Sequence, residues 1–349
     1  MVSTSGSGMS TLKYGTMREN VLSLTVVTPD GGIIERTRQP VRKSSAGLEL
    51  TQLFIGSEGT LGVVCAVCVR LFPLETYSAG ALASFDTLQD AVRSVVALRS
   101  AGVPSTLLRC ELLSKDAVVG TNALCVKENK SDAQIPVCPT LLLEFVATNM
   151  RDIHRDFKVV AGIIKKVGNL KKHAAIRFAK KGPKMDALWS ARRRCGIAAM
   201  KYVGTATCIT TDVCVPLTAL ANCIVDTEKE FANYQNKEDG TTQSIPCIIC
   251  AHISDGNFHV VIPYKNEKEM RVAKDLETSL VRRAIACGGT ISGEHGVGIG
   301  KVRHVVEEHG DVHVDVQESI KKSLDPCNGM NPAGKVYPSQ LTLFPAAHL

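Results

Sequence analysis

The stretch HISDGNFH sets His252 and His259 seven residues apart. On one helix the two rings would lie two turns, roughly 10 Å, from each other, too far to share an ion. On one straight strand an odd offset turns them to opposite faces. A hairpin reunites them. Asp255-Gly256 is a two-residue turn signal, because a type I′ turn needs positive φ at both central positions. That turn predicts Ser254 opposite Asn257, Ile253 opposite Phe258, and His252 opposite His259. Directly opposed residues have Cβ atoms about 5 Å apart, close enough for two imidazoles to converge on a metal. The flanks, Ile245 to Ala251 and Val260 to Ile262, are apolar and β-branched enough for strands.

A third ligand is needed. After Cys287-Gly288-Gly289 comes TISGEHGVGIGK, with Glu294 and His295 adjacent and glycines that let backbone approach another group closely. Nucleotide-loop readings of this segment fail: Val302 follows Lys301 where a Walker A loop needs Ser or Thr, and the glycine spacing is not GxGxxG. No GxSxG elbow occurs. Two histidines and a glutamate with an open position form a known catalytic-metal set. Hydrogen-bonded surface histidines beside a glycine-rich loop are the plain alternative, and spacing alone leaves both open.

The elements around these residues can be read from periodicity. Leu22 to Thr28 and Ile33 to Thr37 alternate as strands about Pro29-Asp30-Gly31-Gly32. A short helix at Ala46 to Phe54 leads into the glycine-rich bend Gly56 to Gly62, and Val63 to Phe72 reads as a strand. Then follow a strand (Gly80 to Phe85), a helix (Thr87 to Ala101, with Leu88, Ala91, Val92, Val95 and Leu98 on one face) and a strand (Thr106 to Leu112). After a polar excursion come a strand (Leu141 to Thr148), a helix (Asp152 to Val167) and a strand (His173 to Ala179). This is the ferredoxin-like β-α-β-β-α-β order. A helix at Lys184 to Tyr202, a strand at Thr211 to Val215, a helix from Pro216, the histidine hairpin and a helix at Asn266 to Ala286 complete the reading.

Composition bounds the function classes. The 349 residues, 44% hydrophobic and 21% charged, suit a soluble globular protein of two domains. No apolar run approaches the ~18 residues of a membrane span. The opening MVSTSGSGMS shows no targeting pattern. The net charge of +7 comes without a basic run interleaved with aromatics, so nucleic-acid binding is unsupported. Thirteen cysteines, an odd number scattered along the chain, read as free thiols. The spacings Cys65-Ala-Val-Cys68 and Cys247-Ile-Ile-Cys250 lie in strand-like runs without turn residues, which favours buried thiols over zinc knuckles.

Taken together, the motifs resemble the FAD-linked 2-hydroxyacid dehydrogenases, flavoproteins of the vanillyl-alcohol oxidase/p-cresol methylhydroxylase type. HISDGNFH is similar to their HxGDGNxH and SGEHGVG to their SGEHG loop. Tyr14-Gly-Thr-Met-Arg-Glu-Asn20, VVTPDGG, RKSSAG and LFIGSEGTLG are similar to the latter half of their flavin-binding domain. The D-lactate dehydrogenase (cytochrome) branch is the nearest likeness, with glycolate oxidase and D-2-hydroxyglutarate dehydrogenase as cousins. The resemblance implies an α+β fold: residues 1–75 as the last part of an FAD-binding domain, and 76–349 as a ferredoxin-like substrate (cap) domain with a C-terminal helical segment. It implies FAD and a divalent metal, zinc or manganese, on His252, His259 and Glu294. His295 matches the base that takes the hydroxyl proton, and Arg192 the arginine that clamps the substrate carboxylate with two parallel hydrogen bonds. For Arg192, followed by Arg193 and Arg194, a solvated helix face is the plain alternative. Ser7, Gly8, Gly56, Glu58, Gly59, Thr60, Gly62 and Asn331 match cofactor-lining positions.

The implied reaction is oxidation of a D-2-hydroxyacid, D-lactate to pyruvate, with electrons passing to cytochrome c or a similar acceptor. The implied location is mitochondrial, and a homo-oligomer is compatible with it. The departures are specific. GSGMS stands where the family's pyrophosphate loop leads into SGTNA, Ser254 replaces a glycine, Leu48 a tyrosine, and Thr207 a lysine of some relatives. Ala333 is inserted into NPGK. An inactive remnant or a partner subunit without its own pyrophosphate loop is therefore the alternative, and a metal-dependent hydrolase on the same His/His/Glu set is the third.

Overall fold

The computed structural model describes residues 1–41, 43–129, 134–168, 176–180, 182–236, 240–332 and 334–335. The chain divides into two compact units, Met1–Gly8 with Tyr14–Pro73 and Ile291–Leu349, and Met9–Lys13 with Leu74–Thr290. The break between Pro73 and Leu74 lies near the expected 75/76 boundary, while the residues from Ile291 onward group with the first unit.

In the first unit, β1 (Val21–Val27) is the centre of an antiparallel sheet, flanked by β2 (Ile33–Ile34) and β3 (Val63–Val69). Val21, Leu24 and Val26 pack with Phe54, Ile55 and Leu61. The expected helix at 46–54 contracts to Leu50–Phe54, and β2 and β3 end earlier than alternation suggested. Cys65 and Cys68 are exposed rather than buried, because β3 forms the edge of the sheet. The Asp311–Leu324 helix supplies a fully buried cation. Lys321 Nζ donates to the Thr60 carbonyl at 2.8 Å and the Met330 carbonyl at 2.7 Å, and pairs with Asp325. A buried ammonium is tolerable only when paired and hydrogen-bonded, and here its donors tie the helix to the glycine-rich bend and the tail.

In the second unit, β4 (Tyr77–Ser84), β5 (Leu107–Leu113), β6 (Thr140–Ala147) and β7 (Arg177–Lys180) lie in the order β7-β4-β6-β5, all neighbours antiparallel. This is the expected ferredoxin-like arrangement, with the Leu88–Ser100 and Met150–Val167 helices as its crossovers. Thr87 and Asn149 cap them, accepting from the amides of Asp90 and Asp152. The predicted apolar face of the first helix is buried throughout. Residues 173–175 of the expected fourth strand lie outside the described residues.

The polar excursion after β5 is instead a helix, Lys115–Lys127, capped by Ser114. Its Gly-Thr-Asn run resembles a turn, yet Asn122 is buried because its amide pairs with both the N–H and the carbonyl of Ile135, at 3.0 and 2.7 Å. The single helix expected at 184–202 is two, Pro183–Arg193 and Cys195–Val203. Two strands, β8 (Thr207–Thr210) and β9 (Val213–Cys214), replace the one expected at 211–215. A small ribbon, β10 (Tyr234–Gln235) with β11 (Thr242–Gln243), follows the Leu217–Ala232 helix. The main sheet continues from β5 to β12 (Ile248–His252), β13 (Asn257–Tyr264) and β8, with β9 also on β13.

The histidine hairpin forms, with a different turn. Opposite His259 stands Cys250, and opposite His252 stands Asn257. Ile253–Asp255 make a 3-10 turn closed by Gly256 at φ 81°, in place of the two-residue type I′ turn. Burial of Ile253 and Ser254 outweighs the local turn preference. Relative to the expected pairing, the register has slipped from residue 252 to residue 250 opposite His259. Side chains alternate faces with period two, so this even slip keeps both histidines on one face, where an odd slip would have separated them.

Gly256 is required twice over. Its φ is positive, and an added Cβ would sit 2.2 Å from the Val215 carbonyl oxygen. Gly288 shares the positive φ, at 74°, but an added Cβ would have nothing within 4 Å among the described residues. Gly256→Ala should therefore lower stability by at least about 2 kcal/mol more than Gly288→Ala, because backbone strain is common to both and the clash is not. Denaturant melts of the two variants check this, and equal losses would contradict the packing assigned to the turn.

Candidate functional site

Within the second unit, the imidazoles of His252 and His259 sit 5.4 Å apart, centroid to centroid, nearly perpendicular, and both are buried. Neighbouring strands hold each ring by Nδ1. β5 pairs with β12 through Cys250 with Leu113 and Ala251 with Leu112, so the next step of that register sets Glu111 beside His252. Glu111 Oε1 lies 2.9 Å from His252 Nδ1. On the other side, β9 pairs with β13 through Asn257 with Cys214 and Phe258 with Val213, so the next step sets Asp212 beside His259. His259 Nδ1 is 3.1 Å from the Thr211 carbonyl and 3.5 Å from Asp212 Oδ1. Asn257 Nδ2 donates to Asp212 Oδ1 at 2.9 Å. A neutral imidazole that donates from Nδ1 carries its lone pair on Nε2, the form in which it ligates a metal.

Arg192 belongs to the same cluster. It is buried, and its Nη2 donates to Glu111 Oε2 at 2.6 Å. Its Nε is buried without a hydrogen-bond partner among the described residues. The run of arginines thus splits: Arg193 is exposed, and Arg194 pairs bidentately with Glu128 at 2.5 and 2.9 Å. A solvated face describes Arg193 and does not describe Arg192. Trp189, one turn earlier, is buried under the guanidinium of Arg109, 5.4 Å from its ring. Thr207 Oγ1 donates to the Tyr264 carbonyl at 2.7 Å, in the role of a strand-edge tie.

One expectation about cysteines is corrected here. Cys195 and Cys250 form a disulfide across 55 residues of sequence, so Cys250 is not a free thiol. Local spacing could not reveal a partner that far along the chain. Cys247 is a buried thiol as expected, and burial pushes its ionisation well upward.

The other motif residues belong to the first unit. Ser7 Oγ donates to Glu294 Oε2 at 2.8 Å, and His295, half exposed, has Nε2 3.8 Å from Glu294 Oε1. Glu58, at φ 53°, fastens their loop: its carboxylate accepts from the amides of Val297 and Gly298 at 2.7 and 2.8 Å. Its carbonyl accepts from Asn331 Nδ2 at 2.5 Å. A Cβ on Gly296 would meet Glu58 Oε1 at 2.8 Å, and one on Gly59 would meet Asn331 Nδ2 at 2.9 Å. Gly62 is similarly confined by the Val27 carbonyl, at 2.8 Å, and Gly56 by Ser5, at 3.1 Å. The glycines of the bend, with Thr60 hydrogen-bonded to the Ser57 carbonyl, thus serve the unit's own packing. Gly8 differs: among the described residues nothing lies within 4 Å of where its Cβ would be.

Sequence reasoning passed over Glu111, Asp212 and the stapling role of Glu58. A carboxylate inside an apolar strand, as in LLRCELL, was the available signal for Glu111. Chemically, the second unit offers two oriented imidazoles and a buried guanidinium, and the first offers a carboxylate beside a half-exposed imidazole.

Residues 74–336 match the family model for FAD linked oxidases, C-terminal domain. The chain is 37% identical over 341 residues to the probable mitochondrial D-lactate dehydrogenase of Danio rerio, covering 96% of this chain and 64% of that one. It is 34% identical over 340 residues to the mitochondrial D-lactate dehydrogenase [cytochrome] of Arabidopsis thaliana, covering 97% and 56%. The chain therefore spans between about half and two thirds of these relatives' length. Among solved structures, p-cresol methylhydroxylase with substrate bound matches at a TM-score of 0.71 and 15% identity, over 95% of this chain and 67% of that chain. The 4-ethylphenol oxidase of Gulosibacter chungangensis matches at 0.66 and 15%, over 93% and 67%. These structures share the fold. No helix among the described residues is long and apolar enough to cross a membrane.

Asp255, in the turn after His252, gives this region a pH signature. Burial pushes its carboxyl up to about 6 from an ordinary 3.8, against the pull of His252 and Arg99. A raised folded-state value means the folded protein holds the proton more tightly, so this group's contribution falls as pH rises from about 4 to about 6 and is constant above. In metal-free protein, Asp255→Asn should gain stability over wild type across that window, by no more than about 3 kcal/mol. Urea melts at pH 4, 5, 6 and 7 measure it, and a difference independent of pH would contradict the shift.

Proposed function

Because the chain belongs to the FAD linked oxidases, carrying their C-terminal domain over residues 74–336, we propose that it oxidises a small D-2-hydroxyacid, D-lactate to pyruvate. Electrons pass on to cytochrome c or a similar one-electron acceptor, and the site of action is the mitochondrion. The names of the relatives support substrate, acceptor and location. The observation that carries the chemistry is the buried pair of Nδ1-engaged imidazoles whose neighbour, Glu111, also holds Arg192.

FAD, when bound, would supply the two-electron acceptor for oxidation of the substrate's α-carbon. Ser7, Gly8, Gly56, Glu58, Gly59, Thr60, Gly62 and Asn331 are assigned to the cofactor lining by their match to the family's motifs. A zinc or manganese ion on the imidazoles of His252 and His259 would act as a Lewis acid toward the substrate's hydroxyl and carboxylate oxygens. Glu294 as third ligand and His295 as the base for the hydroxyl proton are proposed on the motif alone. His295, half exposed, is able to exchange that proton with solvent. Arg192 binds the substrate carboxylate. Its buried Nε–H, without a partner among the described residues, is the donor that a carboxylate oxygen would satisfy, and an orphaned buried donor costs about 1–3 kcal/mol until it is paired.

Purified protein should carry close to one zinc or manganese per chain by elemental analysis. In a preparation that holds FAD, it should reduce cytochrome c or a dye when D-lactate is added. His259→Ala should lose most of the metal and at least ~100-fold in that activity, because the remaining ligands cannot close the site. Full metal content in His259→Ala, or D-lactate oxidation unaffected by it, would overturn the assignment.

A further inference from the structure

We propose that Glu111 is a positioning residue for the metal site: its carboxylate, held by Arg192, accepts a hydrogen bond from His252 Nδ1–H and so commits the imidazole to ligation through Nε2. The inference rests on the metal reading given above and adds to it a residue that no motif contained.

The geometry leaves this carboxylate little else to do. Glu111 is 1% exposed, in a strand whose other buried neighbours are leucines and Cys110. A carboxylate taken out of water costs several kcal/mol unless it is paired and hydrogen-bonded. Both of its oxygens are used: Oε2 by Arg192 Nη2 at 2.6 Å, and Oε1 by His252 Nδ1 at 2.9 Å. A guanidinium only donates, so Oε2 accepts from Arg192, and the 2.9 Å contact at Oε1 pairs the other carboxylate oxygen with an Nδ1–H donor on His252. The strand register supplies the placement, since Glu111 follows the Leu112–Ala251 pair by one step. A carboxylate behind a ligating histidine fixes the ring's orientation and raises its basicity. Because one carboxylate serves both partners, the group that orients His252 also orients Arg192.

A glutamine at this position keeps the size but can present either an acceptor or a donor to Nδ1, and it removes the counter-charge of Arg192. The test uses metal-free, histidine-labelled protein and long-range ¹H–¹⁵N NMR, with the His252 signals assigned by their loss in His252→Gln. Wild type should show His252 as the Nδ1–H tautomer. Glu111→Gln should show the Nε2–H form or a mixture, and should bind Zn²⁺ roughly 10- to 100-fold more weakly in a competition titration with a chromophoric chelator. A purely structural Glu111 would lower the melting temperature of Glu111→Gln while leaving tautomer and zinc affinity unchanged, and that result overturns the proposal. Should Glu111→Gln fail to fold, the wild-type spectrum still decides: His252 as Nε2–H refutes the role given to Glu111. Absence of zinc affinity in wild type would instead contradict the metal reading itself, so the two failures are distinguishable.

Discussion

A carboxylate buried to 1% exposure in an antiparallel sheet is the constraint around which the second unit is arranged. A carboxylate there needs hydrogen-bond donors for both oxygens, and they come from distant parts of the chain: Arg192 from the end of the Pro183–Arg193 helix, and His252 from the end of β12. Meeting that demand places a guanidinium and an imidazole on one anchor. The Cys195–Cys250 disulfide closes the same region covalently, three residues beyond Arg192 and two before His252. Breaking a buried pair by removing one partner typically costs 3–5 kcal/mol, roughly the scale of a domain's net stability, so these residues are bound to the fold as well as to the chemistry.

The sheet then does the rest through register. Glu111, His252 and His259 come from adjacent strands and Asp212 from the residue just before β9, with Glu111–His252 and Asp212–His259 each one step beyond a backbone ladder. Hydrophobic alternation sets which face every side chain takes, and a one-residue slip anywhere in β5, β12, β13 or β9 would send a polar group to the wrong side. The first unit solves a comparable problem with loops. Glu58 and Lys321 bind backbone amides and carbonyls across the Gly56–Gly62 bend, the Glu294–Gly298 loop and the tail, fixing segments that have no ladder of their own.

Much of this was legible before any coordinates. The 3.6-residue apolar period of Leu88, Ala91, Val92, Val95 and Leu98 and the alternating strands around it were sufficient for the ferredoxin-like order, because tertiary burial and local pattern agree there. The Lys115–Lys127 helix was not, since Thr121 and Asn122 are polar yet buried, and only the distant Ile135 explains why. The histidine pair was anticipated on one face from the wrong turn, and survived because the slip was even. Glu111 and the disulfide were invisible for one reason: their meaning lies in partners 81, 141 and 55 residues away, which no local spacing encodes. Glycines carry a second meaning that the sequence did not show: Gly59, Gly62 and Gly296 suggested room for a cofactor, and each is also held by close packing within the first unit.

Zinc K-edge X-ray absorption on the purified chain tests the central claim most directly, namely that two strand-borne imidazoles oriented from behind by Nδ1 partners hold a metal through Nε2. The account predicts nitrogen and oxygen scatterers only, at about 2.0–2.1 Å, with the outer-shell multiple scattering of two imidazole rings. Sulfur scattering at about 2.3 Å, or the absence of the imidazole signature, would place the metal elsewhere and contradict the account.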